Sequence, residues 1–279
     1  KDKGDYMNII YLDNSATTPI KSEVLQEMMP YLTTEYGNAS SLYSVGRSAK
    51  RAIEKARNRV AELLNCNHNE IYFTGGGSES DNIALKGFAY ANKEKGNHII
   101  TSKIEHPAIL ETCKTLERQG FEVSYINVNE DGIIDVEELR KSIKSNTILI
   151  SVMTANNEVG TIQPIEEIAK IAHDNNIVFH TDAVQAIGNV QIDVEKMRID
   201  MLSLSSHKIN GPKGVGALYI KNGIEVEKFI NGGHQEKDRR AGTENVAGIV
   251  GIGKAAEIAR KNMETHIRNL SKIRDYYIK

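Results

Sequence analysis

A lysine that follows a short apolar segment is the residue with the clearest chemical potential in this chain. The run from Met201 to Leu204 predicts a buried strand, which leads into Ser205, His207 and Lys208 and breaks at Gly211-Pro212. A lysine at the mouth of a buried strand loses its proton readily, because desolvation disfavours the ammonium form. Neutral lysine is the form that Schiff-base chemistry requires. Taken alone, the stretch is equally compatible with a solvated loop lysine.

A glycine-rich turn is the second feature with chemical potential. Glu70 to Thr74 predicts a strand, and Gly75-Gly-Gly-Ser-Glu-Ser-Asp81 follows it and leads into a helical pattern. Glycines allow close backbone approach, and free N–H groups at a helix start attract anions. The turn lacks the residues of a Walker P-loop or a dinucleotide fingerprint. An ordinary strand-to-helix turn with a serine N-cap is the alternative interpretation.

The chain alternates between strand and helix patterns, which predicts an α/β fold. Helical spacing occurs around 24–31, 53–64, 83–88, 108–116, 136–143 and 165–172, and from Thr243 onward. Strands are predicted at 9–12, 70–74, 98–101, 123–128, 147–153, 177–181, 201–204 and 215–220. Because the strands are continuously apolar, we expect a mostly parallel sheet with helices on both faces.

Polar groups of different chemistry follow five successive predicted strands. In sheets of this kind, ligands bind at the carboxyl ends of the strands. The residues are Gly77 and Ser78, Glu105 and His106, Asn156 and Asn157, Asp182 and Gln185, and Ser205, His207 and Lys208. Each has a structural explanation alone. Together they match pyridoxal 5'-phosphate, which needs a phosphate cradle, a lysine, a carboxylate at its ring nitrogen and a stacking ring.

Seven motifs then identify a family resemblance that runs from Tyr11 to the end of the chain. They are Tyr11-Leu-Asp-Asn-Ser-Ala-Thr-Thr18, Ser78-Glu-Ser-Asp-Asn82, Glu105-His106, Asn156-Asn-Glu-Val-Gly-Thr161, His180-Thr-Asp-Ala-Val-Gln185, Ser205-Ser-His-Lys-Ile209 and Arg239-Arg-Ala-Gly-Thr-Glu-Asn245. On these residues the chain resembles cysteine desulfurases of the NifS/IscS type, in the class V aminotransferase group. The resemblance implies a PLP-dependent transferase of fold type I with a seven-stranded sheet.

The same resemblance implies a domain organisation. Residues 21–255 are expected to form the cofactor-binding large domain, and residues 256–279 a connecting helix into a small C-terminal domain that is largely absent. Residues 1–20 are expected to be an N-terminal segment that associates with the small domain, with 1–6 treated as an added piece.

Each matching residue also receives an implied role. Lys208 binds the cofactor covalently and moves the Cα proton, Asp182 pairs with the ring nitrogen, and His106 stacks on the ring and assists proton transfer. Ser78 stands where the family usually has threonine and keeps the hydroxyl. The phosphate is expected to contact Gly77, Ser78, Ser205 and His207. Gln185 and Asn157 are expected to contact the ring hydroxyl. Thr243 is expected to contact the phosphate bound by a neighbouring protomer. No metal site is predicted.

The implied reaction converts L-cysteine to L-alanine in a homodimer. An enzyme cysteine takes the sulfur as a persulfide and passes it to an iron–sulfur scaffold or another acceptor. The family places that cysteine, and the arginine for the substrate carboxylate, beyond Lys279. Cys66 and Cys113 are expected to pack as small apolar groups. Two alternatives stay open: a truncated cofactor-binding or dimerising protein without turnover, and another class V reaction such as selenocysteine cleavage or aminotransfer.

Composition limits the partners. A net charge of −2 over 279 residues gives no strong field for nucleic acid. Two cysteines form no disulfide framework and suit a reducing compartment. No apolar run approaches membrane-spanning length and no signal peptide is visible. We therefore expect a cytoplasmic protein without nucleic-acid or membrane partners.

Overall fold

The computed structural model describes residues 10–278, which are built around a seven-stranded sheet. Its strands lie in the order β1-β7-β6-β5-β4-β2-β3. β7 runs antiparallel to both of its neighbours, and the other pairs are parallel. The strands are β1 (Ile71–Thr74), β2 (His98–Ser102), β3 (Glu122–Ile126), β4 (Thr147–Ser151), β5 (Val178–Asp182), β6 (Met201–Ser205) and β7 (Gly216–Ile220). The prediction of a mostly parallel sheet is confirmed.

Helices cover both faces of this sheet. They are α1 (Ser22–Thr33), α2 (Ser44–Leu64), α3 (Gly77–Asn82), α4 (Phe88–Ala91), α5 (Pro107–Arg118), α6 (Val136–Lys141), α7 (Ile165–Asp174) and α8 (Val246–Ile278). A π-helical turn, Ile83–Gly87, joins α3 to α4. Neighbouring residues of one strand enter different apolar clusters, as Ile99 and Ile100 do, because side chains alternate across a sheet.

Two sequence predictions about element boundaries are wrong. Ile10 to Leu12 form no strand; they are exposed, and no described strand pairs with them. Ile9 and the segment 1–6 lie outside the described residues. Helix α8 begins at Val246 rather than at Thr243, because the Asn245 side chain accepts the Gly248 N–H at 3.0 Å and caps the helix. No helix in the described part of the chain is long and apolar enough to cross a membrane.

A buried ion pair fastens the turn Gln235–Asp238 to the edge of the sheet. Arg57 of α2 donates to Glu236 Oε2 at 2.7 Å and Oε1 at 2.9 Å, and to the Ile71 carbonyl at 2.7 Å. Glu236 also accepts the Phe73 N–H of β1 at 2.8 Å. Glu236, Lys237 and Asp238 have φ values of 45°, 57° and 66°, a conformation that non-glycine residues adopt at a cost. The ion pair therefore stabilises a strained turn.

We predict that breaking this pair destabilises the protein strongly. Glu236→Gln leaves the Arg57 charge buried without its carboxylate, and Arg57→Met leaves the Glu236 carboxyl buried without its guanidinium. Each substitution should therefore lower the free energy of unfolding by about 3–5 kcal/mol. Chemical denaturation of the purified variants measures this. Glu111→Gln is the matched control, because the Lys114–Glu111 pair is exposed and should contribute less than about 1 kcal/mol. Unfolding energies within 1 kcal/mol of wild type for Glu236→Gln and Arg57→Met would contradict the prediction.

Candidate active site

The carboxyl ends of the parallel strands surround a cavity of about 450 Å³. This volume is in the usual range of small-molecule sites. Every cofactor-site residue predicted from the sequence lines it except Thr243. The lining residues from that set are Gly77, Ser78, His106, Asn157, Asp182, Gln185, Ser205, His207 and Lys208. Five strand ends that are distant in sequence thus meet at one place.

Lys208 lines the cavity from the short turn Ser206–Lys208 that follows β6. Its Nζ donates to the carbonyls of Ser15 and Ala16 in the N-terminal segment. That segment is fixed by Thr18, whose hydroxyl donates to the His207 carbonyl at 2.7 Å and accepts the Asn210 N–H at 2.9 Å. Burial lowers the pKa of Lys208. The carboxylates of Asp13 and Asp182 act in the opposite direction.

Asp182 lines the same cavity as the last residue of β5. It is 5% exposed, and its Oδ1 accepts the Val184 N–H at 2.9 Å. Burial raises the pKa of Asp182, whereas the Val184 N–H and the charge of Lys208 act in the opposite direction. A ligand that brings an N–H to this carboxylate would replace the solvation that the carboxylate has lost.

His106 also lines the cavity and is the N-cap residue of helix α5. Its Nδ1 accepts the Ala108 N–H at 3.1 Å, which places the ring at the helix N-cap. The preceding Glu105 is buried and accepts from the Ser102 hydroxyl at 2.5 Å and the Met153 N–H at 3.0 Å. Burial raises the pKa of Glu105 to about 8. Glu105 therefore joins the end of β4 to the loop that carries His106.

The loop after β4 brings Asn157 to the cavity. Asn156 shapes this loop, because its Oδ1 accepts the N–H groups of Glu158 at 2.9 Å and Val159 at 3.0 Å. Its Nδ2 donates to the Ile104 carbonyl at 2.9 Å. Asn156 is thus a structural residue, and its neighbour Asn157 is the one that lines the cavity.

The glycine-rich turn contributes an anion-binding geometry. Gly76 is the N-cap of α3 and makes no side-chain cap, so the alternative of a serine N-cap is wrong. Ser78 lies in the first turn of the helix, where backbone N–H groups lack helical partners. A second opening, continuous with the first, is lined by the glycines of this turn together with Ser78, Ser205, His207 and Lys213. Helix start, hydroxyls and a lysine would together hold a phosphate group.

Two buried oxygen atoms in the cavity lack a hydrogen-bond partner among the described residues. They are Gln185 Oε1 and Asp81 Oδ1. A buried polar atom without a partner is costly, so such atoms indicate a ligand that is yet to bind. The residues therefore fit a cofactor with a phosphate at the glycine turn, a ring hydroxyl at Gln185 and a ring nitrogen at Asp182.

Several lining residues were not predicted individually from the sequence. They are Asp13, Ser15, Ala16, Asp81, Met153, Glu158 and Val184. The motifs 11–18 and 78–82 contain the first four, so the motif pattern marked these segments without showing which side chains face the cavity. Thr243 lies in a different opening, beside Gly75, Gly214 and Arg240.

Comparison with known proteins gives the family. The family described as Aminotransferase class-V matches residues 10–278. The chain belongs to the class V aminotransferase family. Within it the similarity is to cysteine desulfurases: one named cysteine desulfurase IscS, from Methanosarcina thermophila, is 58% identical over 269 residues, which are 96% of this chain and 67% of that relative. An IscS from Clostridium botulinum is 57% identical over 97% of this chain and 68% of its own length.

Solved structures of this family agree with the fold. A protein described as NifS-like superposes with a TM-score of 0.94 at 42% identity, over 96% of this chain and 74% of its own. A structure described as SspA in complex with cysteine gives 0.87 at 43% identity, over 89% of this chain and 72% of its own. The predicted fold type and the NifS/IscS resemblance are confirmed. The chain spans about two thirds of the length of the curated relatives.

We predict that adding a side chain at Gly77 destabilises the protein. An added Cβ would lie 2.6 Å from Val184 Cγ2, so Gly77→Ala should lower the free energy of unfolding by about 1–3 kcal/mol. Thermal or chemical denaturation measures this loss. Val184→Ala removes the clashing methyl group, so the double variant should recover most of the loss relative to Val184→Ala alone. A Gly77→Ala variant as stable as wild type would show that the turn adapts freely.

Proposed function

We propose that this protein is a PLP-dependent cysteine desulfurase, which converts L-cysteine to L-alanine and passes the sulfur on as a persulfide. The observation that carries the proposal is the single cavity that joins Lys208, Asp182 and the glycine turn. The 57–58% identity to proteins named cysteine desulfurase supports the choice of reaction within the family. An iron–sulfur scaffold or another acceptor protein is the proposed recipient of the sulfur.

Pyridoxal 5'-phosphate, when bound, supplies an electron sink for the charge left at Cα. The chain's own residues do the rest. Lys208 provides the amine that anchors the cofactor and then carries the Cα proton, since burial lowers its pKa. Asp182 would hold the ring N–H, and Gln185, whose Oε1 is unpartnered, would hold the ring hydroxyl. His106 would stack on one face of the ring.

The phosphate group completes the proposed site. We assign it to the backbone of Gly77 and to the hydroxyls of Ser78 and Ser205, with His207 beside them. Thr243 opens to a separate cavity of this chain, and we propose that it serves the phosphate of a second protomer in a homodimer. The Glu79–Arg240 ion pair, 2.8 Å long, holds the Thr243 segment against α3.

Neither cysteine of the sequence fits the sulfur-accepting role. Both are free thiols, and Cys113 is buried in helix α5. Burial raises the pKa of Cys66 and of Cys113 to about 12. Because the thiolate is the nucleophile, thiols with such pKa values are unreactive near neutral pH. We therefore assign the persulfide to neither of them, as the family resemblance also implies.

The domain division and the compartment stay predictions. Along α8 the fully buried residues extend from Ala247 to Ala256, which supports the proposed boundary between a cofactor-binding domain at 21–255 and a connecting helix at 256–279. The cytoplasm is the proposed location.

We predict that Lys208→Ala abolishes both cofactor anchoring and turnover in the full-length protein. The visible absorbance of bound cofactor should disappear, and release of alanine and sulfide from L-cysteine should fall at least about a hundredfold, since the variant loses its proton-transfer amine. Absorbance spectra and product assays measure the two effects. Lys196→Ala, at an exposed position, is the matched control and should retain both.

Other results would redirect the assignment. Unchanged absorbance in Lys208→Ala would remove the lysine from its role. Cofactor absorbance in the wild type without any turnover would favour a cofactor-binding protein that is not an enzyme. Faster selenocysteine cleavage or aminotransfer than cysteine desulfuration would favour another class V reaction.

A further inference from the structure

Asp81 of α3 is a buried carboxyl that the proposed chemistry leaves without a role. Its side chain is 1% exposed, lines the cavity, and has an Oδ1 with no hydrogen bond to any described residue. One carboxylate oxygen of Asp81, one of Asp182 and one ring nitrogen of His106 lie within 4.8 Å of one another. Two acidic groups and an imidazole therefore lie together in one part of the cavity.

The groups that surround Asp81 compensate a negative charge only weakly, through the Ser203 hydroxyl. His180 Nε2 lies 3.9 Å from Asp81 Oδ1, but the His180 nitrogens already engage the hydroxyls of Ser151 and Ser203 at 2.9 and 3.1 Å. Burial lowers the pKa of His180 to about 3, so this ring is neutral. Burial raises the pKa of Asp81 and the carboxyls of Asp182 and Glu105 add to this effect, whereas the Ser203 hydroxyl acts in the opposite direction.

The third neighbour, His106, already has one ring nitrogen engaged. Its Nδ1 accepts the Ala108 N–H at 3.1 Å, so this nitrogen carries no proton that it could donate to Asp81.

Asp182 has the more favourable surroundings for a negative charge. It accepts the Val184 N–H at 2.9 Å, and the positive charge of Lys208 acts on it. Two carboxyls this close in a buried site hold one proton between them. The asymmetry of their surroundings places that proton on Asp81 and the charge on Asp182.

We propose that Asp81 is a positioning residue that keeps one proton and shares it with Asp182, so that Asp182 stays ionised and aimed at the cofactor's ring nitrogen. The identity of the cofactor rests on the proposed function, whereas the location of the proton does not. Asp81 acts only through Asp182.

The first test measures the proton in full-length protein freed of cofactor. An unfolded Asp81 loses its proton near pH 4, whereas the folded one keeps it, so the stability of the wild type should fall as the pH rises. The unfolding equilibrium constant of wild type, divided by that of Asp81→Asn, should rise about tenfold per pH unit between pH 5 and 7. Glu105 is present in both proteins, so its own titration cancels in this ratio.

Asp182→Asn is the matched control for this test. It should keep the pH slope of the wild type, because Asp81 remains buried without a counter-charge. Parallel pH dependences for wild type and Asp81→Asn would overturn the proposal. A slope that disappears in Asp182→Asn but persists in Asp81→Asn would place the proton on Asp182 and would also overturn it.

The second test separates positioning from a purely structural role by adding pyridoxal phosphate. Asp81→Asn keeps a neutral donor and should bind it within about threefold of wild type, whereas Asp81→Leu lacks a donor and should bind at least about tenfold more weakly. Equal affinities for Asp81→Leu and wild type would overturn the positioning role. If Asp81→Leu fails to fold, the pH dependence of unfolding measured for wild type and Asp81→Asn decides whether the proposal stands. If wild type itself binds no cofactor, the proposed function fails while the first test still measures the proton.

Discussion

The parallel pairing of β5 with β6 is the interaction on which the site depends. In that register Asp182 is the partner of Ser203, so the carboxylate and the Ser205–Lys208 turn emerge at the same edge of the sheet. Both strands are buried on both faces. Their hydrogen bonds and apolar packing fix the position of Asp182 relative to the turn that carries Lys208 before any ligand binds. Preorganisation of this kind places a lysine and a carboxylate in one cavity, despite the cost of desolvating both.

Segments outside the sheet shape the cavity and hold its lining residues in place. The N-terminal segment covers Lys208 through Thr18, and Glu105 ties the His106 loop to the end of β4. On the phosphate side, the ion pairs of Arg57 with Glu236 and of Arg240 with Glu79 hold one long loop against β1 and α3. These contacts are buried or partly buried, so their geometry is better defined than that of surface pairs.

Local sequence patterns predicted the sheet well, because continuous apolar runs between helical stretches have few other solutions. They failed at Ile10 to Leu12, where apolar residues have no partner strand in the described chain. Periodicity also could not reveal the left-handed turn at Glu236 or the unpartnered oxygen of Asp81, since both depend on contacts between distant segments. The catalytic assignments came from motif order, and the structure adds which motif residues face the cavity.

The most direct measurement of the central claim is to trap the bond between cofactor and protein. Full-length protein loaded with pyridoxal phosphate is reduced with borohydride, digested, and analysed by mass spectrometry. The account predicts a phosphopyridoxyl group on the peptide that contains Lys208 and on no other lysine. A label on a different lysine, or a protein that retains no label after reduction, would contradict it.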